Sequence, residues 1–377
     1  RSRGLGDVYK RQGASRTCKA AVFERPNAAL AIRDVAIPAD LEPDAVLCRV
    51  RMSTVCGSDL HTVFGRRPEP APSILGHEIV GEIVEHRTKD LRDFNGVALS
   101  KGDRITWSIM ASCQRCHYCQ TGLPQKCKQV RKYGHLPLDR YPHLTGGYAE
   151  YICLMPGTAL FKVPDDLSDE IVAPANCTLA TAQNAVSTVR LSCHDTVLVQ
   201  GAGLLGLYLC ALAKSKGCPT VIATDLDPSR LQMARQFGAD RCFAVEDYEP
   251  ADLVRRIREA CPDGRLSVAF EACGATEAAD VAMEALDVAG RYLLAGLVTP
   301  NSLLRIDANQ VIRKVLTIAG VHNYGPGHLQ GALAFLQAHH TTYPFDAVVG
   351  RVFPLARIND AIQEAASGKY ARVGIRP

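Results

Sequence analysis

Four cysteines, Cys113, Cys116, Cys119 and Cys127, follow the spacing C-x2-C-x2-C-x7-C. Thiolates so spaced fall within one short lobe. Four sulfurs close a tetrahedron around zinc and leave no position for a reactant, so the expected role is structural. An iron–sulfur cluster uses a similar C-x2-C-x2-C run. A second set of ligand types lies upstream, in Cys56-Gly57-Ser58-Asp59-Leu60-His61 and Gly76-His77-Glu78. Cysteine, histidine and carboxylate all bind zinc, but Cys56 and His77 are too far apart for a finger loop, so the fold must bring them together. The third signature is Gly201-Ala202-Gly203-Leu204-Leu205-Gly206, set between the apolar stretches 197–200 and 207–213 and followed by Val221-Ile222-Ala223-Thr224-Asp225. This reads as strand, glycine turn, helix, strand, acidic residue, the βαβ unit that holds a dinucleotide. Gly201 permits the tight turn, Gly203 lets the backbone approach a pyrophosphate, and Gly206 lets the helix pack on the sheet. The N–H groups opening the helix at Leu204 and Leu205, with the helix dipole, favour phosphate. A carboxylate at Asp225 accepts from the adenosine ribose and repels a 2′-phosphate, which predicts NAD over NADP.

Positioning these groups needs two kinds of architecture. A length of 377 residues suggests two domains. Short β-branched runs at 18–23, 30–37, 45–53 and 79–85, bounded by proline and glycine, predict a β-rich first domain. From Asp195 the texture changes to regular alternation. Strands are expected at 196–200, 220–224, 241–245, 267–271, 291–295 and 315–321, with helices at 204–216, 228–237, 250–260, 277–286 and 308–313. Six strands with crossovers fit a doubly wound sheet with right-handed connections. The stretch 173–186 has small residues at helical spacing. Beyond His322, a helix (329–339), a strand (348–353), a helix (358–366) and a last strand (372–376) can complete the first domain. The expected division is 18–180, 181–321 and 322–377.

Bulk composition narrows the class. The chain is 47% hydrophobic and 22% charged, as in a globular protein without a membrane span. Its formal charge is +4, and five cations against one carboxylate in the first 16 residues account for the whole excess. The remainder has no basic footprint for nucleic acid. That first segment lacks an initiator Met and an apolar signal core. It is read as a disordered extension or translation artefact over 1–17. Fifteen cysteines without a secretory signal do not suggest a disulfide framework, and those outside the metal spacings are expected to be reduced and buried. The expected compartment is the cytoplasm.

These motifs together resemble the zinc-dependent medium-chain alcohol dehydrogenases, over roughly residues 18–377. The resemblance implies a GroES-like β-rich catalytic domain joined to a Rossmann domain, two Zn2+ per chain, and NAD. It implies a catalytic zinc on Cys56, His77 and a third ligand. The run Cys177-x3-Thr181 matches the cysteine-type third ligand, and Ala173-Pro174 has no carboxylate where polyol and threonine dehydrogenases often place a glutamate. Glu78 would be the neighbouring carboxylate able to visit the metal. Asp59 matches the acid that orients His77 and fixes its tautomer. Ser58 matches the hydroxyl that takes the alcohol proton, and His61 the end of a relay to solvent. Thr181, Arg230 and Arg372 match cofactor-binding positions, Arg230 near the adenosine ribose and Arg372, in Gly368-Lys-Tyr-Ala-Arg, at the pyrophosphate. One departure is Gly57, where liver-type enzymes place a second pyrophosphate arginine. The sorbitol and threonine branches have glycine there.

A narrower likeness lies in Thr106-Trp107-Ser108, Gly122-Leu123-Pro124-Gln125-Lys126-Cys127, Lys132-Tyr133-Gly134-His135 and Gly320-Val321-His322-Asn323-Tyr324. These resemble a subgroup associated with phosphonate catabolism. Arg66, Arg67, Lys132, His135 and Arg140 lie in stretches that could border the cleft, and there they would give a weak preference for an anionic hydroxy substrate; the competing reading, and the favoured one, is an ordinary solvated surface. His322 carries no motif and is read as a surface or packing residue. The implied reaction moves a hydride between a primary or secondary alcohol and NAD. The alternatives are a polyol- or threonine-type enzyme of the same family and a zinc-independent quinone reductase, which should lack the Cys56, His77 and Cys177 set. A homodimer or homotetramer is expected through the edge strand 315–321.

Overall fold

A computed structural model describes residues 16–377. The expectation of disorder at the start of the chain lies, for residues 1–15, outside the described residues. Thr17 is already part of the strand Thr17–Phe23, which pairs antiparallel with Ala31–Ala36.

Val46–Thr54 is the strand around which the first domain is built. It is buried along most of its length and pairs antiparallel with Glu78–His86, Tyr151–Leu154 and Arg372–Arg376. Arg104–Ala111 continues the sheet beyond Glu78–His86. Register explains how distant ligand types meet. Thr54 faces Glu78, so Cys56 just past the end of one strand meets His77 just before the start of the next. Thr54 also faces Gly374, which brings Arg372 to the same end. Residues nearly 300 positions apart therefore share one sheet edge.

The second sheet is parallel throughout, in the order Arg241–Ala244, Thr220–Asp225, Thr196–Gln200, Leu266–Glu271, Leu286–Leu294, Thr317–Gly320. This is the strand order of a doubly wound dinucleotide fold. Its last strand is shorter than expected because Val315, at φ 52°, ends the helix Ala308–Lys314 in the left-handed region. The strand expected at 291–295 begins earlier, at Leu286, directly after the helix Ala278–Ala285.

One apolar cluster crosses the junction between the domains. It runs from Met52 and Val80 through Leu179 and Val186 to Leu207, and includes Leu329, Ala332 and Leu336 of the helix Pro326–His339. That helix packs against Thr178–Thr188, while Val349–Pro354 and Arg372–Arg376 return to the first sheet. The cleft walls are thus joined by a continuous core. Among the described residues, no helix is long and apolar enough to cross a membrane.

Candidate active site

The expected helix at 173–186 is interrupted, and the interruption aims a ligand type. Pro174 lies in a 3-10 turn, Ala173–Asn176, and the α-helix starts afresh at Thr178. Cys177 sits at the joint with φ −121° and ψ −72°, outside helical geometry. Its sulfur joins the ends of the two strands: donor atoms of Cys56, His77, Glu78 and Cys177 all lie within 4.8 Å of one another. Two sulfurs, one imidazole and an adjacent carboxylate form a donor set that fits zinc.

Asp59 holds this arrangement from behind. Its buried carboxylate accepts from the Cys56 N–H (3.0 Å), the Gly76 N–H (3.3 Å) and the Tyr148 hydroxyl (3.1 Å). It also lies 3.3 Å from His77 Nδ1, leaving Nε2 on the donor side. Burial alone would depress the His77 imidazole, but Asp59 and Cys56 override it and hold it well above its ordinary range. A hydrogen bond from Cys177 holds the Cys56 thiol well below its ordinary range against burial, and Arg372 helps. Cys177 is correspondingly held well above its own. Tyr148 is 89 positions from Asp59, and nothing local in the sequence marks it.

Glu78 is fully buried beside this set. It accepts from Thr54 Oγ1 (2.5 Å), Thr178 Oγ1 (3.0 Å) and Arg372 Nε and Nη2 (2.7 and 2.8 Å). Burial pushes its carboxyl up, with Arg372 opposing. Arg372 Nη2 also reaches Cys56 Sγ at 3.5 Å. The guanidinium expected at the pyrophosphate therefore faces Glu78, although Arg372 also lines two adjoining cavities.

Those cavities divide the remaining residues. A cleft of about 640 Å³ is lined by Cys56, Ser58, His61, His77, Cys177 and Thr181 on one side and Gly203, Leu204 and Leu205 on the other. Ser58 Oγ is 3.3 Å from His77 Nε2, and Thr181 Oγ1 donates to the Cys177 carbonyl. Burial, then Arg66, lowers the His61 pKa, and its buried Nδ1 has no partner among the described residues. A smaller groove is lined by Ala202, Gly203, Ser229, Arg230, Lys369 and Arg372.

The glycine turn suits a phosphate. Gly201 has φ +98°, and a Cβ there would fall 2.8 Å from the Cys273 backbone. A Cβ on Gly206 would lie 1.8 Å from the Gly201 carbonyl oxygen, whereas one on Gly203 would meet nothing within 4 Å. The chain is packed tightly behind the turn and open in front of it, a cradle that fits a pyrophosphate. Asp225 closes the unit from the sheet side, accepting from the Ala202 N–H (2.7 Å) and the Asp227 N–H (2.9 Å).

The Cys113, Cys116, Cys119 and Cys127 sulfurs also lie within 4.8 Å of one another. Cys127 Sγ accepts from the Cys113 and Gln129 N–H groups, each at 3.3 Å. The backbone N–H groups of Cys119 and Lys128 bring the Cys116 thiol down to about 6. A thiolate-rich lobe of this kind fits a closed zinc site.

Of the expected cationic border, Arg66, Arg67, Lys132 and His135 line the cleft, whereas Arg140 lies exposed and outside it. Glu69 is an unforeseen member, paired with Arg67 (2.8 Å) and His135 (3.1 Å). Burial, then Arg67 and Lys126, bring Lys132 down to about 8. His322 is not merely a surface histidine. It lines the cleft, lies 3.0 Å from Lys126 Nζ, and is driven down to about 4 by burial and by the Lys132, Lys126 and Arg67 charges.

The description "Alcohol dehydrogenase GroES-like domain" matches residues 42–165, and "Zinc-binding dehydrogenase" matches residues 205–338. The chain belongs to the zinc-dependent alcohol dehydrogenase family, and it is an oxidoreductase of that family. It is 30% identical over 331 residues to 5-exo-hydroxycamphor dehydrogenase of Pseudomonas putida, covering 87% of this chain and 91% of that one. It is 30% identical over 311 residues to L-threonine 3-dehydrogenase of Sinorhizobium medicae (strain WSM419), covering 81% and 83%. Among solved structures, an alcohol dehydrogenase from Thermotoga maritima superposes with a TM-score of 0.90 at 29% identity, over 96% of this chain and 100% of that one. A zinc-binding dehydrogenase from Sinorhizobium meliloti 1021, bound to NADP, gives 0.83 at 25%, over 96% and 100%.

Proposed function

We propose that this chain is an NAD-dependent zinc alcohol dehydrogenase acting on a primary or secondary alcohol that carries an anionic group such as a phosphonate. The observation that carries the reading is the shared cleft, where Cys56, His77 and Cys177 face the glycine turn across one cavity. Cys56, His77 and Cys177 would hold a zinc supplying Lewis acidity that lowers the pKa of an alcohol, and the glycine turn from Gly201 to Gly206 would hold NAD, which would supply a hydride acceptor. Asp59 holds the His77 ring so that Nε2 faces the metal position. Ser58 Oγ receives the hydroxyl proton. His61, held neutral by burial and by Arg66, takes the proton on towards solvent. Glu78 waits beside the donors, held by Arg372. The Cys113 lobe binds the second zinc and does no chemistry.

Among the described residues, Arg66, Arg67 and Lys132 outnumber the carboxylate Glu69 on the substrate wall, which favours an anion. Asp225 favours NAD over NADP. Assembly as a homodimer or homotetramer is supported by the open edge strand Thr317–Gly320 and by exposed Ile312 and Val315 beside it. The test is NAD reduction over a panel of hydroxyalkylphosphonates, hydroxy acids and neutral polyols. Turnover concentrated in the anionic alcohols is expected. Equal turnover of neutral polyols overturns the anionic preference, and no turnover of any alcohol overturns the dehydrogenase reading.

A further inference from the structure

His322 lies in a short segment that is pinned on both flanks. On one side the Val321 N–H donates to the Leu294 carbonyl of the parallel sheet (3.0 Å). On the other, the Asn323 carbonyl accepts from Asn184 Nδ2 (2.7 Å), and the Tyr324 hydroxyl accepts from the Ile109 N–H (3.1 Å) and donates to the Asn176 carbonyl. This holds His322 at the wall of the cleft, while Lys126, from the four-cysteine lobe, stands outside the lining. Lys126 Nζ is 3.0 Å from His322 Nδ1. An ammonium has only donors, so Nδ1 must accept and the ring proton sits on Nε2. A second proton on the ring is opposed by burial and by the charges of Lys132, Lys126 and Arg67. His322 is thus a neutral imidazole whose Nε2–H has no acceptor among the described residues.

Two cations at the same wall also have donors to spare. Glu69 Oε1 takes Arg67 Nε (2.8 Å) and His135 Nδ1 (3.1 Å), which fixes the Arg67 side chain and leaves its Nη fork, like Lys132 Nζ, without an acceptor among the described residues. Arg67, Lys132 and His322 all line the cleft that holds the metal donors. They reach it from separate elements: Arg67 from the turn after the helix Gly57–Val63, Lys132 from the strand Arg131–Lys132, and His322 from beyond the strand Thr317–Gly320. Donors converging from separate elements suit an acceptor with oxygens on several sides. A phosphonate or phosphate offers three oxygens about its axis, whereas a carboxylate offers two in one plane. Being neutral, His322 adds a directional bond without further positive charge beside Arg67 and Lys132. We propose that His322 is a specificity-determining residue: its Nε2–H, set by Lys126, donates to a tetrahedral oxyanion on the substrate that the Arg67 fork and Lys132 also hold. The inference rests on the anionic-alcohol reading above and adds to it the choice of tetrahedral over planar anions.

The test compares a hydroxyalkylphosphonate, the hydroxy acid and the neutral diol of the same chain length as substrates of the zinc-loaded full chain with NAD. His322→Leu removes the donor, and His322→Gln keeps one at similar reach. In His322→Leu the KM for the phosphonate should rise by about tenfold or more, as for a lost hydrogen bond to a charged group, with kcat held within about twofold. The hydroxy acid should change by about threefold or less, and the neutral diol not at all. His322→Gln should recover most of the phosphonate KM. Lys126→Met lets Nδ1 take the ring proton, so its phosphonate KM should fall between those of the unsubstituted chain and His322→Leu; it carries the same test if the leucine variant does not fold. A phosphonate KM unmoved in His322→Leu and Lys126→Met overturns the inference, while any anionic preference of the unsubstituted chain would stand. A kcat loss shared by all three substrates, or a His322→Gln no better than His322→Leu, makes His322 a packing residue and overturns it equally. If the unsubstituted chain oxidises the diol as readily as the phosphonate, the anionic reading itself fails, and the inference with it.

Discussion

Removing the Arg372 guanidinium should be costly in a way that depends on the metal. Arg372 and Glu78 have side-chain exposures of 11% and 0%, so solvent screens the pair little. Arg372→Met leaves the Glu78 carboxylate buried beside the Cys56 sulfur with only the Thr54 and Thr178 hydroxyls as donors. Breaking a buried pair by deleting one partner costs roughly 3–5 kcal/mol, because the other charge stays behind uncompensated. In Arg372→Met/Glu78→Gln no buried charge is stranded, so most of that loss should return. Zinc at the Cys56, His77 and Cys177 donors adds positive charge next to Glu78. The destabilisation of Arg372→Met should therefore be largest in the metal-stripped protein and smaller in the zinc-loaded one. Urea unfolding of both variants, with and without zinc, reads all of this as differences in unfolding free energy. A loss below about 1 kcal/mol in the stripped single variant, or a double variant no more stable than the single, would refute the reasoning.

Three further outcomes follow from the same geometry. Gly206→Ala should destabilise by about 1–3 kcal/mol through its clash with the Gly201 carbonyl, whereas Gly203→Ala should leave thermal unfolding almost unchanged and weaken NADH binding, since its methyl enters the cradle. Because the His61 pKa lies below its ordinary 6.5, the imidazole is neutral above that value and gains its proton only below it, so kcat/KM should fall on the acid side of pH 6.5; Arg66→Gln should move that limb upward in a pH–rate profile, and an unmoved limb would separate His61 from the titration. Asp225→Gly should raise kcat/KM with NADP relative to NAD, and an unchanged ratio would place the choice of cofactor elsewhere.

The parts of the site that were legible are those whose chemistry is written in short spacing. The four cysteines, the glycine turn with Asp225, and the Cys56 and His77 segments each announce their residue types locally. The strand pairing that unites Cys56, His77 and Arg372 is a long-range register, and only the alternation of apolar residues hinted at it. The small residues of 173–186 suggested one helix; the break at Pro174 and the direction in which it turns Cys177 were not read from them. Tyr148 on Asp59, Thr54 and Thr178 on Glu78, and Glu69 on His135 were silent, because each is an ordinary residue type whose partner lies far along the chain. Val315, exposed and in the left-handed region, ended a helix where a β-branched residue had suggested a strand.

The most direct test of the account is metal stoichiometry read together with NAD reduction. Zinc analysis of the purified chain should give two ions, and Cys177→Ala should retain one, in the four-cysteine lobe, while losing NAD reduction on every alcohol that the unsubstituted chain oxidises. One ion or none in the unsubstituted chain, or a Cys177→Ala variant that keeps both ions and its activity, would contradict it.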